Sequence, residues 1–456
     1  MDLILGQVHN IPLIVANGYS NTSWEDYLNG ANVVLAPCIE PHCEIECMTL
    51  YPDFTSKQNL DTYSLSEEER QHISIDAGTD KLVNDMINEY PVPKICPYRA
   101  SDITSEQQPT NTTVEYFPLA FGFNEHYLFN TNPTKVSFNR NVMYVNQMCL
   151  PKKSKDFSDL LPGRGETYGF RFGEELEYRR IYSSVYYAIT MMKGGWDCNR
   201  HYEILSSGTM PYFDDLENAG SFMLVHLPKT LLLEARAIIG VRRDHMKIDH
   251  RQFNLTQYRL LLHRVLYYTK YRLTTRKLAE YILKTIHYPR SINHSILLIA
   301  HQVPDYMKEL MLHGFTQIFG SSLHVYNSPR YLYSYPKHKQ WTFNNTKEYY
   351  AEELYGFGYG YALSLRKYAK LHERDKRDLT NETVVENIKN NRYTLIIFGS
   401  ILRSNHLFPL VARHYYKSRI VVIDGEDKLK SIKRSEYARL ASYFLREIPD
   451  KCGDFT

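Results

Sequence analysis

The sequence predicts an α/β protein with two Rossmann-like, doubly wound domains and a small N-terminal α/β extension. Short apolar strands alternate with amphipathic helices in two stretches, and a linker rich in Ser, Thr, Gln, Pro and Asn at residues 101–113 precedes the first stretch. The 456 residues suffice for two or three domains, each with its own core. We therefore expect the extension over residues 1–100, one domain over 114–290 and the other over 293–456.

The extension and the first domain are predicted from apolar runs separated by helical periodicity. Expected elements of the extension are strands at residues 3–5 and 33–35 and helices at 24–28 and 80–90. The first domain is expected to have strands at residues 142–145, 187–190, 209–212 and 223–226 and helices at 173–183, 199–206 and 230–239. One or two amphipathic helices with basic surfaces follow at residues 251–287. This alternation is typical of a parallel sheet with crossover helices.

The second domain repeats the alternation. Its strands are expected at residues 296–300, 323–326, 394–399 and 420–424, and its helices at 306–318, 384–390 and 407–416. In open sheets of this kind, ligands bind beyond the carboxyl ends of the strands. The polar residues expected there are His301, Gln302 and Asp305, then Gly399, Ser400 and Arg403, then residues 424–427.

Composition argues against several classes of function. The chain has 54 Lys and Arg residues against 51 Asp and Glu, so no excess positive charge indicates nucleic-acid binding. No run approaches the roughly 20 apolar residues of a membrane span, and the N-terminal residues lack a basic lead and a cleavage site. Seven cysteines, unevenly spaced, indicate neither a disulfide framework nor a zinc site. We expect a cytoplasmic protein without a transmembrane segment, a resident metal or an obligatory cofactor.

The most informative pattern lies at residues 193–217. Lys193, Gly194 and Gly195 precede a helix-like stretch. Glycines let main-chain N–H groups approach an anion, the helix start adds partial positive charge, and Lys193 and Arg200 add full charges. The pattern predicts a phosphate site, with an ordinary Gly-Gly turn as the alternative.

The residues at the strand ends of the second domain disfavour hydride transfer and a metal site. The dinucleotide-binding glycine pattern does not follow residue 300 or residue 398, which disfavours hydride transfer even though Asp424 ends a strand. The acidic residues 424–427 fit a helix cap or a loop better than a metal site.

Several runs resemble exostosin-like glycosyltransferases, enzymes of bacterial and large-virus surface-polysaccharide clusters. The runs similar to the nucleotide-sugar half of these enzymes are residues 117–122, 178–184, 192–216, 227–229 and 271–283. The runs similar to the acceptor half are residues 296–300, 304–306, 312–314, 354–358, 396–400, 423–427 and 443–447. With the segments between them, they cover roughly two thirds of the chain.

The resemblance implies a GT-B type fold and transfer of a sugar from a nucleotide-diphosphate donor to a glycan or glycoconjugate acceptor. The family places its acceptor half first, whereas this chain places it last. Two interpretations stay open: a permuted enzyme whose halves close on each other, or a fusion of the end of one transferase to the start of another. For a viral protein, the expected location is the host cytoplasm.

The resemblance and the chemistry of glycosyl transfer together give the candidate site residues. A departing diphosphate develops negative charge, which cations and N–H dipoles meet in a fold without an obligatory metal. The candidate donor-binding residues are Lys193, Gly194, Gly195, Trp196, Asp197, Arg200, Tyr202 and Glu203. Among them, Glu203 is expected on a ribose, Asp197 on a sugar hydroxyl, and Trp196 or Tyr202 against a base or sugar.

An inverting enzyme also needs a base within reach of the attacking hydroxyl. The candidates for this catalytic role are His301, Asp305 and His313. A retaining enzyme does not need such a base, and the sequence leaves the choice open.

Two other classes of protein remain alternatives. A catalytically inactive transferase would bind a nucleotide sugar or a polysaccharide as a scaffold, an interpretation that the reversed order of the halves favours. A methyltransferase or dehydrogenase on a Rossmann sheet would instead bind adenosylmethionine or a nicotinamide cofactor.

Overall fold

The fold is described from a computed structural model. It describes the side chains of residues 114–124, 151–165, 169–170, 177–220, 222–289, 293–303, 305–329, 379–427 and 434–448, and the backbone of some further strand and helix residues. The statements below concern these parts of the chain.

The strands are numbered in chain order. They are β1 (Leu3–Val8), β2 (Ile11–Ala16), β3 (Ile45–Leu50), β4 (Cys96–Arg99), β5 (Thr113–Pro118), β6 (Thr134–Phe138), β7 (Asn141–Pro151), β8 (Lys155–Phe157), β9 (Val185–Thr190), β10 (Met210–Phe213), β11 (Val241–Arg242), β12 (Lys247–Ile248), β13 (Ile296–Ile299), β14 (Leu323–Tyr326), β15 (Thr342–Phe343), β16 (Lys347–Glu348), β17 (Leu395–Phe398), β18 (Ile420–Asp424) and β19 (Ser442–Leu445).

The α-helices of the described residues follow the same convention. They are α1 (Glu175–Ser183), α2 (Asn199–Ser206), α3 (Lys229–Arg236), α4 (Leu255–Arg272), α5 (Thr275–Thr285), α6 (Tyr306–Phe319), α7 (Asn381–Lys389), α8 (Phe408–His414) and α9 (Arg434–Leu440). Within these described ranges, no helix combines the length and the apolar character that crossing a membrane requires.

Seven strands form the large sheet, in the order β14-β13-β17-β18-β19-β5-β4. The first six run parallel, and β4 is antiparallel at the edge. Runs such as Ile296–Ile299 and Leu395–Phe398 are apolar at every position and buried throughout, as expected for strands covered on both faces. Consecutive side chains along a strand, such as those of Leu297 and Leu298, belong to different hydrophobic clusters, one on each face of the sheet.

Three strands form the small sheet, which is also parallel and has the order β10-β9-β8. Most buried apolar side chains of the small sheet belong to the same hydrophobic cluster as those on one face of the large sheet. That cluster runs from Tyr187 on β9 through Leu262, Leu278 and Met311 on α4, α5 and α6 to Leu298 on β13. The two sheets are therefore joined by a continuous core.

The predicted α/β class with parallel strands is confirmed, although some predicted elements differ. Residues 223–226, expected as a strand, form turns because Leu224 has a φ of 50° and the N–H groups of Met223 and Leu227 each bond three residues back. Residues 142–145 lie in β7, which pairs antiparallel with β3 and β6 instead of joining a parallel sheet. The elements expected at 24–28, 33–35 and 80–90 lie outside the described residues.

Strand pairing crosses the boundaries predicted between domains. β5, at the start of the predicted first domain, pairs with β19 of the predicted second domain, and β4 from the predicted extension pairs with β5. Val114 and Tyr116 of β5 are buried, and the Tyr116 ring packs edge-on against Tyr443 with centroids 5.3 Å apart. These apolar side chains extend the buried face of the large sheet on which Tyr443 lies.

A buried ion pair joins the end of β18 in the large sheet to α9. Asp424 at the end of β18 accepts hydrogen bonds from Arg434 Nε at 2.7 Å and from the Tyr443 hydroxyl at 2.6 Å. Asp424 and Arg434 are each about 1% exposed, so neither charge is compensated by water. The acidic strand end therefore has a structural partner within its own chain.

Arg434→Met should lower the free energy of unfolding by about 3–5 kcal/mol, because the Asp424 carboxylate would stay buried without its cation. Lys155→Met is the matched control, since Lys155 pairs with Asp159 at 2.8 Å while both side chains are largely exposed. That change should cost no more than about 1 kcal/mol. Urea unfolding followed by circular dichroism measures both values, and equal losses would contradict a stabilising role for the buried pair.

Candidate functional site

The polar groups predicted at the strand ends meet at the carboxyl edge, defined here as the edge of the large sheet where its parallel strands end. The loops after β13, β17, β18 and β19 all reach this edge. Residues 193–197, called the glycine turn below, dock on it from the small sheet. The carboxyl edge and the glycine turn together form the candidate site.

Glu447, two residues after β19, holds the glycine turn. The main-chain N–H groups of Trp196 and Asp197 donate to its two carboxylate oxygens at 3.1 and 2.8 Å. A Cβ atom on Gly195 would lie 2.5 Å from Glu447 Oε1, and one on Gly194 would collide with Asp427. The glycines thus permit a close approach to an anion, as the sequence predicts, but this anion is a carboxylate of the same chain.

Arg446 joins the loops of the carboxyl edge. Its guanidinium is buried, donates to Glu447 Oε1 at 2.8 Å and to the Gly425 carbonyl at 3.0 Å, and also bonds to the Asp197 carbonyl and to Asp427. The Phe121 ring, just after β5, lies 4.5 Å from the guanidinium carbon, in cation–π geometry. One side chain therefore ties together three strand ends and the glycine turn.

Asp197 faces inward from the glycine turn. The Phe121 N–H group and the Tyr202 hydroxyl donate to its two oxygens, each at 2.6 Å. Burial raises the pKa of Asp197 to about 7, against the opposing effects of Arg446 and of these two hydrogen bonds. Both carboxylate oxygens on the inner side of the turn therefore have hydrogen-bond donors within the protein.

His201 supports the glycine turn from behind. Its Nε2 lies 2.8 Å from the Trp196 carbonyl and its Nδ1 lies 2.8 Å from the Thr190 hydroxyl at the end of β9. Burial lowers the pKa of His201 to about 4, so the ring is neutral. A neutral ring that donates from Nε2 and accepts at Nδ1 satisfies both contacts.

Arg200 and Glu203 lie in a buried polar cluster between α1 and α2. Arg200 donates to the Tyr182 hydroxyl at 3.1 Å, and the Tyr178 hydroxyl donates to Glu203 at 2.5 Å. Lys193 is exposed, and its pKa is lowered by partial burial and by the nearby charge of Arg200. The two predicted cations are therefore close enough to influence each other.

A second charged group lies after β13 and β17. His301 Nε2 is 3.5 Å from Asp305 Oδ2, and Arg403 lies 3.6 Å from the same oxygen while donating to Glu426 at 2.6 Å. Burial and the positive charges of Lys308 and Arg403 lower the pKa of His301, although Asp305 acts in the opposite direction. At neutral pH the imidazole is therefore neutral.

Asp305 begins α6. It accepts a hydrogen bond from the Lys308 N–H group at 3.3 Å, and Glu309 reaches back to accept the Asp305 N–H group at 2.8 Å. Burial would raise the pKa of Asp305, but His301, Lys308 and Arg403 together hold it well below its usual range. The carboxylate beside His301 is therefore ionised at neutral pH.

His313 lies apart from this group. It is two turns further along α6 and buried at the contact with α5, where its Nδ1 is 2.7 Å from the Thr275 hydroxyl. The helices are so close that a Cβ atom on the neighbouring Gly314 would collide with the Thr275 carbonyl. This position gives His313 a role in helix packing.

The structure brings together part of the predicted site. His301 and Asp305 are neighbours, but of the eight predicted donor-binding residues only Lys193 and Gly194 are exposed. The others are buried or half-buried, namely Gly195, Trp196, Asp197, Arg200, Tyr202 and Glu203. No role was predicted for Lys308, Arg446 or Glu447, although Arg446 and Glu447 lie within the family-like run at residues 443–447, which was a usable signal.

Comparison with known proteins adds no relative: the chain matches no protein-family model, no curated protein and no solved structure at a significant level. Among the described side chains, no group of three or more His, Cys, Asp and Glu residues is placed to hold a metal ion. Any functional proposal therefore rests on the site itself.

Gly195→Ala should lower the free energy of unfolding by about 1–3 kcal/mol, because the added methyl group would overlap Glu447 and push the glycine turn off the carboxyl edge. Gly165→Ala is the control, since a Cβ atom there has nothing within 4 Å. Differential scanning calorimetry of both variants measures the effect. An unchanged melting temperature in Gly195→Ala would contradict the close packing of the turn.

Asp197→Asn should make stability less dependent on pH. The ordinary pKa of the carboxyl is 3.8 and its pKa in the folded protein is about 7, so the native state binds more protons than the unfolded state between these values. The stability of the wild type, relative to the variant, should therefore be fully present below about pH 4 and be lost as the pH rises through 7. Urea unfolding from pH 4 to pH 8 measures this, and parallel profiles for the two proteins would refute it.

Proposed function

We propose that this protein is a glycosyltransferase that moves a sugar from a nucleotide-diphosphate donor to a glycan or glycoconjugate acceptor. In this proposal the larger sheet carries the acceptor side and the smaller sheet the donor side, in a GT-B-like arrangement. The reaction takes place over the carboxyl edge, where the glycine turn and the loop after β13 meet neighbouring strand ends.

One observation carries the proposal: an acid–base pair and the cation-bearing turn share one edge of one sheet. Asp305 is near Arg403, Arg403 bonds to Glu426, and the next residue, Asp427, contacts Gly194 of the glycine turn. A donor bound beside the glycine turn and an acceptor bound beside His301 and Asp305 would therefore lie next to each other. Transfer between two bound substrates requires such proximity.

The acceptor hydroxyl would be activated by His301 after a movement of its loop, because both ring nitrogens are buried in this conformation. A neutral imidazole beside an ionised carboxylate can accept a proton, and Asp305 would stabilise the imidazolium that forms. The hydroxyl oxygen then forms a bond to the anomeric carbon, the bond from that carbon to the diphosphate oxygen breaks, and the diphosphate leaves with the electron pair. This route inverts the configuration of the sugar.

The departing diphosphate would be met by side-chain cations. Glu447 occupies the N–H groups of Trp196 and Asp197, so these groups do not face a substrate in this conformation. Lys193 is exposed and Arg403 is 41% exposed, and both lie along the carboxyl edge. We assign the diphosphate contacts to these two residues, with Arg200 behind Lys193.

A second candidate function is a scaffold that binds a nucleotide sugar or a polysaccharide without turnover. The hydrogen bonds of the glycine turn to Glu447, which in turn bonds to Arg446, favour this function. They use N–H groups that a transferase would direct at its donor. In that case the carboxyl edge binds its ligand but lacks a productive arrangement around the leaving group.

The test is donor binding followed by donor hydrolysis. Among a panel of nucleotide sugars, a uridine or guanosine diphosphate sugar should raise the melting temperature, and the protein should slowly release the nucleoside diphosphate from it. Lys193→Ala should reduce release at least tenfold, whereas Lys389→Ala should have no effect. Lys389 is an equivalent exposed lysine at the end of α7 that leads into β17, so it lies at the opposite edge of the sheet.

The outcomes separate the two functions. Release that depends on Lys193 supports the transferase, and stabilisation without release supports the scaffold. No stabilisation by any member of the panel would refute the transferase and a scaffold that binds a nucleotide sugar.

A further inference from the structure

Lys308 is a buried cation directly beneath the His301–Asp305 pair. Its side chain is fully buried in the first turn of α6, and a Cβ atom on Gly399 would lie 3.1 Å from its Cγ, so its stem passes against the end of β17. Fully burying a lysine is costly unless its ammonium group is hydrogen-bonded and its charge compensated. The contacts of Lys308 show how that cost is met.

The ammonium group bonds to the main chain of the loop that carries His301. Lys308 Nζ donates to the carbonyl oxygens of His301 and Val303, each at 2.7 Å. Glu309 lies 3.9 Å away and provides a negative charge. Two charge-assisted bonds to one short loop fix the backbone from which the imidazole projects.

The same charge acts on the ring. The charged groups that face His301 are Asp305 and Lys308 of α6 and Arg403 from the loop after β17. Lys308 and Arg403 favour the neutral imidazole, and Asp305 favours the charged form. Lys308 also stabilises the ionised form of Asp305.

We propose that Lys308 is a positioning residue that fixes the His301 loop through its two carbonyl contacts and keeps the ring able to accept a proton. The catalytic meaning of this inference rests on the proposed function, whereas the physical link between Lys308 and His301 does not. Lys308 itself touches no substrate in this proposal.

The experiment follows the His301 ring by NMR in full-length protein labelled with ¹³C at histidine Cε1, with the signal assigned through His301→Gln. In Lys308→Met the titration midpoint of His301 should move to higher pH, because a like charge is removed. Lys153→Met is the matched control. Lys153 Nζ also donates to main-chain carbonyls, those of Ser183 and Gly208 at 2.9 and 2.7 Å, but at the small sheet.

The control variant should lose stability yet leave the His301 titration where it was. Lys308→Gln removes the charge while keeping an amide donor, so it should shift the titration with less disturbance of the loop. An unchanged His301 midpoint in both Lys308 variants would overturn the proposal.

The wild-type protein provides a test that does not depend on the variants folding. Burial lowers the pKa of Lys308 to about 8, so the His301 signal should show a second, smaller inflection near pH 8 as Lys308 loses its proton. A His301 signal without that inflection contradicts the proposed link.

Activity then separates this inference from the function. If donor hydrolysis occurs, Lys308→Met should lower kcat by up to about 100-fold with little change in KM, and move the acidic limb of the pH profile upward. If hydrolysis is absent but the NMR shifts occur, the link holds and the proposed function fails. If hydrolysis occurs but the NMR shifts do not, the proposed function holds and the link between Lys308 and His301 fails.

Discussion

The ion pair of Arg446 and Glu447, adjacent residues after β19, is the interaction on which the rest of the site depends. Glu447 accepts the N–H groups of Trp196 and Asp197, and Arg446 binds its oxygen while reaching the Gly425 carbonyl and the ring of Phe121. Because both residues follow the same strand, their positions are set by the sheet. The glycine turn is thereby fixed to the end of a rigid element, and the small sheet is held over the carboxyl edge of the large one.

Most of the charge at the carboxyl edge is compensated within the protein. Asp424 pairs with Arg434, Asp427 with Arg446, and Glu426 with Arg403. A buried charge without a partner is strongly destabilising, so these pairs allow a polar edge to exist beside a continuous apolar core. The same compensation limits what the site can offer a ligand. The side chains of Lys193 and Arg403 remain exposed along this edge, which is why the proposed mechanism assigns the diphosphate contacts to them.

Local patterns predicted much of the fold correctly. The strands at 323–326 and 420–424 and the helix at 199–206 have the predicted bounds, because short, mainly apolar runs and helical spacing depend on nearby residues. The glycine turn was recognised as an approach to an anion, since Gly194 and Gly195 carry no side chains. Its partner was not recognised, because Glu447 is 250 residues from Asp197 and no local pattern links them. The pairing of β5 with β19 was missed for the same reason.

The sequence by itself determined the α/β class, the strand ends where polar groups gather, and the proximity of His301 and Asp305, which are four residues apart in the loop that leads from β13 into α6. Only the tertiary structure decided that the glycine turn binds a carboxylate of its own chain, that His313 packs between helices, and that Lys308 supports His301. The physical reason is that backbone propensity and apolar periodicity act over a few residues, whereas the partner of a buried charge is chosen by whichever complementary group the fold brings within about 3 Å.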